Sequence, residues 1–370
     1  MRDLYNKPGL VAGVLFIGLA TVLTIKIILR DEPYIPPEAE DVAVESQKDV
    51  PAASADTPKS TTTAATKPSL ALSFPLACVP GENCWIARFM DREAGDVAAD
   101  YSCGTNTQNG HKGTDITLSD LGRMEAGVAV LAAAPGTVLR LRDGMDDVST
   151  KDFDANDIDG KECGNALILD HGNGWQTQYC HLKKGSLKVA KGDTVSAGDM
   201  IAEVGLSGQT EFPHLHFMAR RGKTDVDPFD GGVFEGGCEN DAAPLWKEPV
   251  KHDPFVLLPV QFSSEPRAQG DIWQAGATTL SATGDALILT ARAFHVRRGD
   301  TWHFKIVDPN GDTFLNQDVV IEEKKQFFFQ YVGKEIPEEG LMPGTWTGTV
   351  HVDHGPWEDI EQTTQVEITP

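Results

Sequence analysis

The chain has 370 residues, more than one average domain needs, and a hydrophobic share of 40%, enough for well-formed cores. Its 55 acidic residues against 32 basic ones give a formal net charge of −23. That balance argues against a nucleic-acid partner, whose phosphates demand a basic surface, and against adsorption to an anionic membrane face; it reads as a solvated, soluble exterior.

Residues 10–25 read LVAGVLFIGLATVLTI. Lys26 interrupts the run, and Ile27, Ile28 and Leu29 extend it to roughly 20 residues, about the length that crosses a bilayer core. Lys26 can snorkel to the interface. Arg2 and Lys7 favour a cytoplasmic side for residues 1–9, which makes 10–29 a transmembrane anchor. A cleaved signal peptide is the competing reading, but no small-x-small site follows the apolar stretch. Either way, everything after Arg30 is exported. Residues 30–73 form a linker: Pro33, Pro36, Pro37, Pro51, Pro58 and Pro68 lie among Ala, Ser, Thr and acidic residues. It lacks the apolar periodicity that offsets ordering entropy.

A first folded unit is expected over 74–244. Short Gly-punctuated apolar stretches at 129–134, 136–141, 188–189, 192–195 and 200–204 predict an antiparallel β domain. Residues 143–160, rich in Asp and Gly, read as a solvated surface excursion, in preference to a cation site. The six cysteines are Cys78, Cys84, Cys103, Cys163, Cys180 and Cys238, with no CxxC pair. An even set in an exported chain predicts disulfides. Residues 165–171 and 175–181 look like strands joined by Gly172-Asn173-Gly174, a hairpin signal that brings Cys163 nearly opposite Cys180. The other four cysteines cannot be paired from sequence.

A second unit spans 250–370. Alternating runs at 286–290, 302–307, 319–321, 326–332, 344–350 and 363–368, with a turn at 308–312, suggest an immunoglobulin-like β-sandwich. Trp302, Trp346 and Phe327-Phe328-Phe329 are expected in its core. The fold class is therefore mainly β: an antiparallel β domain, then a sandwich, behind one N-terminal transmembrane helix.

The chemistry gathers in the first unit. In Pro213-His214-Leu215-His216-Phe217 two imidazoles two residues apart on a strand share one face. His111-Lys112-Gly113-Thr114-Asp115 places a histidine at a loop mouth and a carboxylate on a strand that starts near Thr114. Tyr179-Cys180-His181-Leu182 adds another imidazole. Neutral imidazole and carboxylate are both good zinc ligands, although the HxxxD spacing alone is weak.

The stretch from Gly110 to Phe229 resembles the LytM/lysostaphin-type zinc metallopeptidases, the M23 family. The matching pieces are the His111 segment, Ala134-Pro135-Gly136-Thr137-Val138, Asp170-His171-Gly172-Asn173-Gly174-Trp175, the His181 segment, Gly192-Asp193-Thr194-Val195, Val204-Gly205-Leu206-Ser207-Gly208 and the His214–His216 segment, in the family's order. The resemblance implies that His111, Asp115 and His216 are ligands of one zinc ion. It implies that His181 and His214 are catalytic non-ligand histidines, that amide hydrolysis proceeds without a covalent intermediate, and that the substrate is peptidoglycan, at stem-peptide cross-links. It further implies a bacterial envelope protein, held at the inner membrane with its catalytic part in the periplasm, or secreted if a leader is removed. Two features depart from the family: Cys180 beside His181, and the 143–160 excursion.

The remaining histidines have bland readings. His171 is expected in a turn, and His252, His295, His303, His351 and His354 as surface or satisfied core residues. His351 and His354 lack a partnering set with zinc spacing. The alternatives are a non-enzymatic regulator that binds wall or a partner amidase, and a peptidase of protein substrates. The sandwich is expected to bind wall or a protein partner, or to cover the cleft.

Overall fold

The computed structural model describes residues 27–29 and 70–370, apart from 153–157, 159, 241, 269–270 and 356–358. In chain order the strands are β1 (Ile27–Leu29), β2 (Trp85–Arg88), β3 (Thr114–Thr117), β4 (Ala129–Leu131), β5 (Gly136–Arg142), β6 (Asn165–Gly172), β7 (Trp175–Leu182), β8 (Thr194–Val195), β9 (Met200–Glu203), β10 (His214–Arg221) and β11 (Thr224–Val226). They continue with β12 (Val256–Leu257), β13 (Gln261–Ser263), β14 (Thr279–Ser281), β15 (Ala286–Val296), β16 (Thr301–Val307), β17 (Thr313–Val320), β18 (Lys325–Glu335), β19 (Gly344–Asp353) and β20 (Ile360–Thr369).

The first unit is built on one sheet in the order β2-β3-β10-β7-β6-β5-β8, with β11 beside β10. Strand alternation sends Leu215, Phe217 and Ala219 of β10 into the core with Ile116, Leu167, Leu169 and Tyr179. It leaves His214 and His216 on the other face. The core reaches out to Leu70, Leu72 and Trp246. Asn173 and Gly174 close the β6–β7 hairpin with φ of 52° and 79°, the left-handed pair that a tight two-residue turn requires. Disulfides join Cys78 to Cys84, Cys103 to Cys238 and Cys163 to Cys180.

Some local expectations change. Residues 188–189 form no strand. His171 lies in β6, not in the turn, with its ring nitrogens on the Pro135 carbonyl and the Thr177 hydroxyl. The start of the 143–160 excursion is pinned by its carboxylates. Asp147 accepts from the backbone N–H of Lys184 and of Leu206, both at 2.8 Å, and Asp143 from Gly185 at 2.9 Å.

The second unit has two sheets, β1-β18-β15-β12 with β13 on β15, and β14-β20-β19-β16-β17. Phe262, Leu287 and Leu289 from one meet Trp302, Phe304, Trp346 and Val350 from the other in a shared core. β17 starts well before the expected 319–321. It is an edge strand placed by its ladder with β16, and its own apolar pattern is weak. The expected membrane run 10–29 lies outside the described residues except for Ile27–Leu29. Those three form a strand, antiparallel to Val332–Lys334 on the otherwise open edge of β18, whose free backbone groups they satisfy. Among the described residues no helix is long and apolar enough to cross a membrane.

Trp85, Ala87 and Phe212 of the first unit share an apolar cluster with Leu258, Trp273, Phe294 and Phe327 of the second. Polar bonds reinforce the contact. Gln326 donates to the carbonyls of Thr105 and Thr107, and the Leu121 N–H donates to the Trp273 carbonyl.

Candidate metal centre

Antiparallel register makes the site. His216 on β10 stands opposite Asp115 on β3 and opposite Cys180 on β7, so a carboxylate 101 positions away in sequence becomes its cross-strand neighbour. His111 reaches the same point from the loop before β3. Its Nδ1–H donates to the Phe89 carbonyl at 2.7 Å, which turns Nε2 towards the others. Nε2 of His111 is 3.0 Å from Asp115 Oδ1 and 3.2 Å from His216 Nδ1, and that Nδ1 is 2.8 Å from the same oxygen. Donors about 2.0 Å from a tetrahedral ion lie roughly 3.3 Å apart, so the three atoms fit the coordination shell of one zinc ion. The chemistry fits too, with two imidazoles and one carboxylate and a fourth position left for water. Gly113 allows the close approach: a Cβ there would meet the Phe217 carbonyl at 2.6 Å and the His216 ring at 2.8 Å.

His181 and His214 flank this triad, with ring centroids 4.6 Å apart. The Nδ1 of His181 donates to the Ser207 carbonyl at 2.8 Å, and that of His214 to the Phe212 carbonyl at 3.0 Å, with the Thr210 hydroxyl at 3.1 Å. Each bond commits the Nδ1 proton and leaves Nε2 as the nitrogen that faces the site. His214 Nε2 lies 3.5 Å from Asp115 Oδ1. The placement of His181 requires a bulge. Asn165 pairs with Leu182 and Leu167 with Tyr179, so β7 carries an extra residue there. His181 absorbs it with φ of 59°, a left-handed conformation costing ~1–3 kcal/mol in a non-glycine residue. Its N–H bonds the Cys163 carbonyl, its own carbonyl accepts from Gly205, and the Cys163–Cys180 disulfide ties the bulge to the segment just before β6.

Burial, together with His214 and His216, holds His181 well below its usual pKa. Burial also lowers His216, against the opposite pull of Asp115. Burial alone would raise Asp115, but His111 and His214 outweigh it and keep the carboxyl well below the usual range. Among the three candidate ligands, solvent reaches His216 most, at 16% of its side chain, against 3% for Asp115.

The structure thus brings His111, Asp115, His181, His214 and His216 together with the Cys163–Cys180 disulfide alongside. His252 stacks on Phe89 instead, His295 bonds Gln326, and buried His354 bonds Asp300 at 2.7 Å. Sequence reasoning missed the supporting shell. Arg88 on β2 places Nη1 3.5 Å from Asp115 Oδ2. Phe212 stacks on His214 at 4.4 Å and on Trp273 of the second unit at 5.1 Å. No motif marks Arg88 or Trp273; the only available signal was Phe212 adjoining the Pro213-His214 segment.

Residues 109–228 match the model of peptidase family M23. The chain is 35% identical over 118 residues to an uncharacterized metalloprotease of Haemophilus influenzae, covering 32% of this chain and 20% of that protein. It is 40% identical over 65 residues to the DD-carboxypeptidase/endopeptidase Mpg of Neisseria meningitidis serogroup B, covering 18% and 14%. With the peptidoglycan DD-endopeptidase ShyA of Vibrio cholerae it shares 43% identity over 54 residues, covering 15% and 12%. The chain spans a fifth or less of the length of these relatives.

Proposed function

We propose that this chain is a zinc-dependent endopeptidase that hydrolyses peptide bonds of peptidoglycan, in its stem-peptide cross-links. The observation that carries the reading is the convergence of three ligand atoms beside two imidazoles whose Nδ1 atoms are committed to backbone carbonyls. His111, Asp115 and His216 are the ligands, and His181 and His214 are the catalytic histidines. Bound there, zinc supplies a Lewis acid and a water of lowered pKa. With each Nδ1 committed to a carbonyl, Nε2 of His181 or His214 is the atom that takes a proton and returns it to the leaving amine. The same N–H, once protonated, donates to the developing oxyanion. Burial and the neighbouring imidazoles keep His181 neutral in the resting site. Relatives named as peptidoglycan DD-endopeptidases support the wall as substrate. The full set of five residues favours catalysis over a purely binding role.

The catalytic unit comprises 74–244 together with Leu70, Leu72 and Trp246, and the sandwich follows from about residue 250. Sheet order β20-β19-β16-β17 against β13-β15-β18, with β14 parallel to β20, supports an immunoglobulin-like topology. The apolar run ahead of β1, residues 10–25, has 16 residues, just under the ~17 at the lower end of what spans a bilayer, and is the basis for proposing an inner-membrane anchor. Three disulfides fit the oxidising periplasm.

Zinc-loaded protein incubated with purified sacculi should release new amine ends, and His216→Ala should release none. Equal release by both, or none by wild-type protein that holds zinc, overturns the proposal. Parallel digestion of an unfolded protein separates a wall enzyme from a general peptidase.

A further inference from the structure

The sandwich carries a row of imidazoles and carboxylates that the peptidase chemistry does not use. In the register of the β14-β20-β19-β16-β17 sheet, Asp318 stands opposite His303, His303 opposite His351, and His351 opposite Glu361. These four residues lie on four adjacent strands. Directly opposed residues share a face of the sheet, with Cβ atoms about 4.5–5.5 Å apart. The two imidazole centroids are 5.7 Å apart, against 5.0 Å for His111 and His216. His303 Nδ1 lies 2.7 Å from Asp318 Oδ1, which leaves its Nε2 open. A carboxylate on the far nitrogen is how metal-bound histidines are oriented. His351 sits between two more carboxylates, with Nε2 3.6 Å from Asp359 and Nδ1 3.9 Å from Glu361.

We propose that this row is a second metal site, holding one divalent ion of the zinc, nickel and copper class through His303, His351 and a flanking carboxylate. Neutral imidazoles with carboxylates are the donors that such ions select over calcium or magnesium. The carboxylates of Asp318, Asp359 and Glu361 beside the two rings attract a cation. His303 and His351 are 38% and 37% exposed, so their rings can turn onto an ion without disturbing the core. As plain surface ion pairs the same contacts would contribute little to stability. The site lies on the sandwich and does not depend on the peptidase reading.

Metal analysis of the full chain, stripped with chelator and dialysed against micromolar free zinc, tests it. Wild-type protein should hold two ions, His303→Ala/His351→Ala one, and His111→Ala/His216→Ala one. Cobalt, whose visible spectrum reports its ligands, should give a signal in the His111→Ala/His216→Ala protein that disappears when His303 and His351 are also replaced. One zinc in the wild type, unchanged in His303→Ala/His351→Ala, overturns the proposal. So does a cobalt spectrum that survives loss of both pairs. The sandwich substitutions are at exposed positions, and a melting curve matching the wild type confirms that the fold is intact.

Discussion

Replacing Trp273 with alanine tests whether the sandwich holds the proposed catalytic residue His214 in place. Trp273 is 5% exposed, stacked on Phe212 at 5.1 Å and 22°, and stacked on Phe327 at 5.1 Å and 23°. Truncating a buried tryptophan costs about 3–5 kcal/mol of stability, and each lost aromatic pair accounts for ~0.5–1.5 kcal/mol of that. The catalytic effect is separate. Phe212 would keep its stack on His214 but lose its backing from Trp273, and its carbonyl is the acceptor for His214 Nδ1 at 3.0 Å. Ring and carbonyl would then shift together, and a displacement of about 1 Å at a catalytic group lowers rate by ~10²-fold. The variant should therefore lose about 10- to 100-fold in kcat on cross-linked wall peptides, with KM near the wild-type value. Zinc at the peptidase centre should persist, because His111 hangs from the Phe89 carbonyl and Asp115 from β3. Trp273→Phe preserves the stack and should recover most of the rate. The assay is steady-state turnover below the melting temperature, alongside metal analysis. A folded Trp273→Ala protein with wild-type kcat, or Trp273→Phe as slow as the alanine variant, refutes the reasoning.

Opening the Cys163–Cys180 disulfide by paired serine substitution releases a loop of 17-residue separation and should cost ~3 kcal/mol in denaturant titration. An unchanged midpoint would show that the link adds nothing to the bulge. His181→Asn keeps a side chain that tolerates the left-handed backbone but cannot take the proton. Activity should fall by ~10²–10⁴-fold with zinc content and melting curve unchanged, and a fall below tenfold would deny His181 a proton-transfer role. Burial raises the Asp227 carboxyl to about 7, since Arg92, 3.8 Å away, is already committed to Asp230. A carboxyl that holds its proton more tightly when folded stabilises the fold below its ordinary pKa near 4. That contribution is lost as pH rises through 7, a difference of at most ~4 kcal/mol. Wild-type stability minus that of Asp227→Asn should therefore decline between pH 4 and 8, and a flat difference would contradict the assignment.

Much of the site was legible because its signals are local and chemical. Two histidines at the strand period share a face wherever that strand is placed, and an Asn-Gly turn closes a hairpin by its own backbone preferences. Donor types alone point to zinc. In the sandwich, β16, β19 and the end of β20 follow apolar alternation that the chain itself displays, whereas β15 is buried along its whole length and β18 through its Phe327–Gln330 stretch.

What the chain could not display is register and its exceptions. Strict alternation along β7 would turn His181 towards the core beside Tyr179. Only the extra residue of a bulge, stabilised by the Ser207 and Cys163 carbonyls, swings it to the metal side. The opposition of Asp115 to His216, the Trp273–Phe212–His214 stack and the row formed by His303 and His351 likewise join residues far apart in sequence. The amino acids determined which donors were on hand and which faces would be buried. Cross-strand pairing, a balance of many weak long-range contacts that no single segment encodes, decided which donors meet.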